Sequence, residues 1–436
     1  MPLSTPTTFL RLALLMAMAC LTLAVFLVTR VPYLGLALAA TAESGRIEVL
    51  NPDSFGLPAN AQGYFLHSIG TAEFPLMKVE TTDLVEDVDL LADNQAIARF
   101  FARQDELVQR LGNAPITVEF TTAEGQVYVR EVPAGRRPLS SLPYTFWLQL
   151  VVAGASFLVG AWINSLRHQD WAARLFLLSG LGILLAAATA AVYSSRELAL
   201  SGTDFRWLSS LNFLGASLFG AAITGLFLLY PRRLLPLPAV MGITSLCLTA
   251  AFYHLGERWG VLPVLGQEFY LPTTLIPVEM LAIILAIAGQ YFATRGDPAS
   301  RAVLRWLAMS VLTCSGVFMM LFYVPIIAGV SPPVSQAHSF VMFLLIYLGI
   351  GLGLRRYRLF DLGVWSFRIM FYLSALTGFF LLDALIISQL DFSAAASTGF
   401  SLVIIGFGYL PLRDWLWRTT LGRPQKTEHD WFAKVM

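Results

Sequence analysis

Long apolar runs alternate with short polar connectors along most of the chain. Runs long enough to cross ~30 Å of hydrocarbon, for which a helix needs ~20 residues, occur at Phe9–Val28, Tyr144–Ile163, Leu175–Tyr193, Trp207–Tyr230, Leu234–His254, Leu271–Phe292, Trp306–Val330, Ser339–Leu354, Ile369–Ile387 and Ala396–Leu412. The pattern predicts about ten transmembrane helices with both termini on one side. Between the first and second runs the period changes. "GRIEVL" (Gly45–Leu50) and "GYFLHSIG" (Gly63–Gly70) read as strands, and "ITVEFTTAEGQVYVREV" (Ile116–Val132) alternates on both sides of a Glu124-Gly125 turn, which predicts a hairpin. "NQAIARFFARQDELVQRLG" carries Ile97, Phe100, Phe101, Leu107 and Leu111 on one stripe. That stripe predicts a helix capped by Asn94 and stopped at Gly112. The fold class is therefore an all-α polytopic membrane protein with one small α/β domain inserted after the first span.

Charge sets the orientation. Arg167 and Arg174, Arg232 and Arg233, Arg295, Arg301 and Arg305, and Arg355, Arg356, Arg358 and Arg368 fall in alternate connectors. The opposite connectors mix Arg196, Arg206 and Arg258 with Glu197, Asp204, Glu257 and Glu268. The positive-inside bias then puts both termini on the cytoplasmic side and residues 31–142 outside. That external block has 15 acidic against 8 basic residues, a net of −7, whereas the rest of the chain carries +8. Composition agrees: 56% of the 436 residues are hydrophobic and 13% charged, half the charged share of soluble domains (~25%). Basic residues scattered between apolar runs exclude a nucleic-acid footprint. Cys20, Cys247 and Cys314 all lie in apolar runs, so neither disulfides nor a metal site is expected.

The segmentation is then an N-terminal anchor (1–30), an external α/β domain (31–142), a multi-spanning bundle (143–354), an elbow with the last two spans (355–412) and a cytoplasmic stub (413–436). In the elbow, Arg355, Arg356 and Arg358 pin a helix end at the inner headgroups, Asp361 caps the turn or pairs with an arginine, and Arg368 anchors the next span.

Catalytic signatures are missing: the sequence has no H-E-x-x-H, G-x-S-x-G, P-loop or C-x-x-C motif, and its five histidines lack metal-ligand spacing. No catalytic residue, metal or cofactor is expected. Ionisable residues inside apolar spans carry more information, because a charge at that depth is costly and usually has a partner or a cavity. Glu279 lies ~12 Å below the external end of its span by the 1.5 Å rise per residue, and Asp383 about one turn below the end of its own. His254, His338, Tyr253 and Tyr323 are expected near the same face. Two readings stay open: an external-half cavity in which these groups bind a ligand or sense protons, or carboxylates hydrogen-bonded to neighbouring helices. Gln149, Asn212 and Gln290 read as interhelical hydrogen-bonders.

Two resemblances extend this reading. The order of the external block, with "YLGLAL" (Tyr33–Leu38) first and "GYFLHSIG" later, resembles a bacterial PDZ domain, Tyr64 standing where that family usually has Asp. The resemblance implies that Leu34, Gly35 and Leu36 form a loop whose backbone N–H groups hold a carboxylate, either for a peptide ligand or in a spacer that binds none. "RRYRLFDLGVWSFRIMFY" (Arg355–Tyr372), followed after two spans by "GYLPLRDWLWRTTLGRPQ" (Gly408–Gln425), resembles the membrane half of multi-spanning bacterial sensor histidine kinases of the competence or quorum-sensing receptor type. This implies a receptor that detects a small-molecule or peptide ligand, pairs as a homodimer, and drives a cytoplasmic kinase domain or response regulator through its last helices. No kinase sequence lies within these residues, and His429-Asp430 lacks the rest of a phospho-acceptor box. A secondary transporter or permease, or a PDZ-bearing membrane scaffold, are the alternative functions.

Overall fold

A computed structural model describes residues 6–357 except 42–44, 59–62, 92, 113–114, 134, 264–270, 329–331 and 333. The described residues belong to one compact unit, Met1–Phe360. Arg358, Asp361, Arg368, Asp383 and the last two predicted spans lie outside them, as do the side chains of Arg355 and Arg356.

Helix α1 (Pro6–Val28) buries Leu10, Ala13, Ala17, Leu21, Ala24 and Val28. These recur every three or four positions, and this narrow stripe faces α3 (Tyr144–Leu166) and α4 (Trp171–Ser194). The small alanines permit close approach, which helices in lipid need because burial alone gives them little drive to associate. Helices α5 (Gly202–Leu229), α6 (Leu237–Arg258), α7 (Leu271–Ala293) and α8 (Pro298–Phe318) follow. Seven helices in the described residues are long and apolar enough to cross a membrane. Beyond α8 the chain makes a π-helical turn (Met319–Tyr323), then the short α9 (Val324–Ile327) and α10 (Gln336–Ser339), and α11 (Val341–Tyr357).

All three amides expected to bond between helices do so. Asn212 Nδ2 donates to the Ala186 carbonyl at 2.9 Å, Gln290 Nε2 to that of Phe227 at 2.7 Å, and Ser194 Oγ donates to Gln149 Oε1 at 3.3 Å. Glycine closes the α4–α5 crossing: a Cβ on Gly182 of α4 would lie 2.5 Å from the Gly215 carbonyl of α5. Cys20, Cys247 and Cys314 are free thiols.

Between α1 and α3 lies an antiparallel sheet domain. Its six-stranded sheet runs β2 (Leu38–Thr41), β3 (Arg46–Val49), β4 (Tyr64–Gly70), β6 (Ile116–Thr122), β7 (Val127–Val132), with β5 (Met77–Lys78) also on β4. The predicted hairpin is β6–β7, paired from Ile116↔Val132 to Thr121↔Val127, with Gly125 at φ +86° in its turn. Alternate residues of β6 are buried, Ile116, Val118 and Phe120 among them, and pack with Ile47, Leu66 and Ile69. Two short strands, β1 (Pro32–Tyr33) and β8 (Gly135–Arg136), pair where the chain leaves α1 and approaches α3. Helix α2 (Asn94–Leu111) packs its predicted stripe, with Leu107 and Leu111 in the sheet core. Its cap is one residue earlier than expected: Asp93, in extended conformation, accepts from the Ala96 N–H at 2.7 Å. Tyr64 is buried and donates its hydroxyl to the Pro58 carbonyl at 2.6 Å.

Candidate functional site: an occupied amide cradle and a carboxylate-bearing cavity

The loop from Leu34 to Leu36 turns on Gly35, at φ +84°, so that successive N–H groups converge on one point. Such a nest of amides favours an anion, and a carboxylate from elsewhere in the same chain fills it. Glu197, in the α4–α5 connector, accepts from the Leu34 and Gly35 N–H groups on Oε2 at 2.9 and 3.2 Å and from the Leu36 N–H on Oε1 at 2.5 Å. Burial pushes this carboxyl's pKa up, opposed by the three N–H bonds and by Arg137.

The rest of the connector is held as firmly. Leu198 and Ala199 enter the hydrophobic core of the sheet domain beside Leu34, Leu36 and Leu107. The Leu200 N–H donates to Gln104 Oε1 at 3.0 Å and the Gly202 N–H to Asp105 Oδ1 at 2.7 Å, both on α2. A side chain at Gly202 would strike the Phe101 carbonyl. Arg137, itself buried, donates to the Ser195 carbonyl. Arg196 reaches the other way: Nη2 donates to the carbonyls of Asp83 (3.0 Å) and Val85 (2.6 Å), and its guanidinium lies over the Phe205 ring. Burial lowers its pKa to about 10, which still leaves it charged at neutral pH.

The same segment of the sheet domain, Asp83 to Leu90, covers one end of the bundle. Asp87 accepts from the Tyr193 hydroxyl at 2.7 Å and from Gln336 Nε2. The Gln336 N–H donates to Glu86 Oε2 at 3.3 Å, and Arg258 Nη2 approaches Asp89 Oδ1 at 3.5 Å while its Nη1 donates to Ser209 Oγ. Asp83 is fully buried and bound by Arg103 through Nε and Nη2, at 2.9 and 2.7 Å.

Below this cover is a cavity of about 70 Å³ between α4, α5, α7, α8 and the π-helical turn. Phe219, Phe318, Phe322 and Phe343 supply much of its wall, with Asp89 and Gln336 at the covered end. Glu279 lines it at 2% exposure, and neither carboxylate oxygen has a hydrogen-bond partner among the described residues. Pro277 lies within α7 two residues earlier, and Gly220 leaves the space the carboxylate occupies, since a Cβ there would collide with it.

Of the residues singled out in the sequence, Glu279 and Tyr323 meet in this cavity. The other described candidates do not join them. His254 packs edge-on against Phe213, 4.8 Å between ring centres, with Nδ1 3.6 Å from Glu257. His338 bonds Ser335 through Nδ1 at 2.7 Å and the Tyr144 hydroxyl through Nε2. Tyr253 donates to the Pro263 carbonyl at 2.9 Å. The N–H groups of Leu34, Gly35 and Leu36 hold the Glu197 carboxylate of this same chain. This occupant of the loop, Glu197, escaped sequence reasoning. Among the described residues no group of three His, Cys, Asp or Glu side chains could hold a metal.

No protein-family model matches the chain, and neither does any curated protein or solved structure.

Proposed function

We propose that the chain is the membrane input module of a signal receptor. In this reading it has ten spans, cytoplasmic termini and a PDZ-like domain at residues 31–142 outside the inner membrane. A ligand outside or within the outer leaflet changes how the domain and bundle engage, and the last helices carry that change to a cytoplasmic kinase output. The observation that carries the proposal is the Glu197 carboxylate in the Leu34–Leu36 cradle. This contact ties the domain to the bundle, and in this reading a released arrangement alternates with the docked one. A ligand shifts such an equilibrium only through different affinity for the two. The filled cradle also favours a receptor over a scaffold that recruits foreign tails, since the chain's own loop occupies the site a tail would need.

The test uses the full chain in nanodiscs, its three native cysteines replaced by alanine and a thiol introduced at Arg358. Releasing the latch with E197A is expected to change the maleimide labelling rate of that thiol severalfold, while a thiol at the exposed His168 turn keeps its rate. Identical Arg358 labelling with and without the latch would overturn the reading, as would solute uptake by proteoliposomes holding this chain alone.

A further inference from the structure

The buried Glu279 carboxylate demands the most explanation. An ionised carboxylate in an apolar site is strongly disfavoured unless paired, and breaking one partner off a buried pair leaves a large uncompensated cost. The described residues lining its cavity include no lysine, arginine or histidine. The carboxyl is therefore either protonated or paired with a charge from outside this wall. We infer that the cavity is a binding site for a small organic cation, an amine whose ammonium head pairs with Glu279 and whose apolar part lies against the phenylalanine walls.

Three features select this class of ligand. First, the walls are aromatic and arranged edge to face, Phe219 with Phe343 at 5.1 Å and Phe318 with Phe343 at 4.9 Å between centres. Aromatic faces stabilise cations most strongly where water is displaced. Second, an inorganic divalent ion needs about six oxygen ligands, and the described residues gather no such acidic group. Third, Ser315 Oγ, also buried in the cavity wall, has no hydrogen-bond partner among the described residues and offers an acceptor to an N–H of a primary ammonium. The π-helical turn contributes Met319, Phe322 and Tyr323 to the same wall. Such turns replace the regular i→i−4 pattern and occur often at functional positions.

The site names the ligand class for the receptor reading and rests on it only for the consequence of binding. Its test is a binding measurement with no signalling readout, so either idea can fail alone. Calorimetric titration of the full chain in nanodiscs would compare methylamine and ethylamine, small enough for the cavity, with neutral ethanol. Both cations are expected to bind at least about tenfold more tightly than the alcohol, and E279Q to lose at least that factor for the cations with little change for the alcohol. Equal affinities for amine and alcohol would mean a neutral apolar cavity and overturn the inference, as would cation binding undiminished in E279Q or no cation binding by the wild-type chain. The wild-type comparison decides even if E279Q folds poorly.

Discussion

The Leu36 N–H donates to Glu197 Oε1 at 2.5 Å, across 161 residues of chain. Two further N–H groups share the carboxylate, so removing it strands three donors at once. Hydrogen bonds to a charged group each contribute ~1.5–3 kcal/mol. Allowing for water reaching this partly buried site, E197A should weaken docking of the connector by ~3 kcal/mol, or about a hundredfold. Amide hydrogen exchange at Leu34–Leu36 in nanodiscs should accelerate accordingly. E197Q, which keeps one carbonyl acceptor but turns an NH₂ toward the donors, should fall between wild type and E197A. Protection unchanged in E197A would show that Leu198 and Ala199 hold the connector unaided.

Docking should also depend on pH through Glu86. Burial raises its pKa above the ordinary 4.5, Asp87 adds to the rise, and the Gln336 N–H, Arg196 and His338 oppose it. The folded state therefore binds this proton more tightly than the unfolded chain. Stability contributed by the group grows as pH falls from the raised value toward 4.5, and is lost as pH rises back through that window. Thermal unfolding in nanodiscs should show this slope in the wild type. E86Q, which cannot titrate, should flatten the Glu86 share and melt higher than wild type near neutrality. A wild-type slope fully retained in E86Q would assign it to other groups, Glu197 foremost.

Orientation is testable without a ligand. In the cysteine-free background, a thiol at the exposed Ser54 of the sheet domain should react with a membrane-impermeant maleimide on intact cells. One at the exposed His168, in the α3–α4 turn at the far end of the bundle, should react only after permeabilisation. The reverse pattern would invert the positive-inside assignment.

The spans were readable as apolar runs of sufficient length, and the sheet-domain elements where one buried face has its own period. Alternation marks β6, and a three-to-four spacing marks α2. Glu279 was readable for a different reason, the energetic cost of a carboxylate inside an apolar run. Which residues share its cavity was not, because that depends on how each helix is rotated about its axis. His254 and Glu279 were expected near one face, yet the histidine packs on Phe213. The cradle at Leu34–Leu36 was implied only by the PDZ resemblance, and its occupant by nothing in the sequence. No local pattern links a loop after α1 to an acid after α4.

Gly182 and Gly215 give the sharpest packing prediction. Each lies where the other's backbone passes: a Cβ on Gly182 would stand 2.5 Å from the Gly215 carbonyl and 2.7 Å from the Phe219 nitrogen, and one on Gly215 would stand 2.6 Å from the Ala186 nitrogen. Backbone cannot swing aside as a side-chain tip can, so α4 and α5 must separate. That would also stretch the adjacent Asn212–Ala186 bond and shift Phe219 in the cavity wall. Overpacking of this kind costs ~1–3 kcal/mol. G182A and G215A should each lower the midpoint of SDS-induced unfolding, followed by tryptophan fluorescence. The double variant should cost less than the two single losses combined, because both methyl groups open the same gap. At Gly242, in α6, a methyl group would meet no described atom within 4 Å. G242A should therefore hold or raise the midpoint, by up to ~1 kcal/mol from helix propensity. If G182A matches G242A, the α4–α5 crossing is looser than the structure shows, and its tight approach is not what positions the cavity.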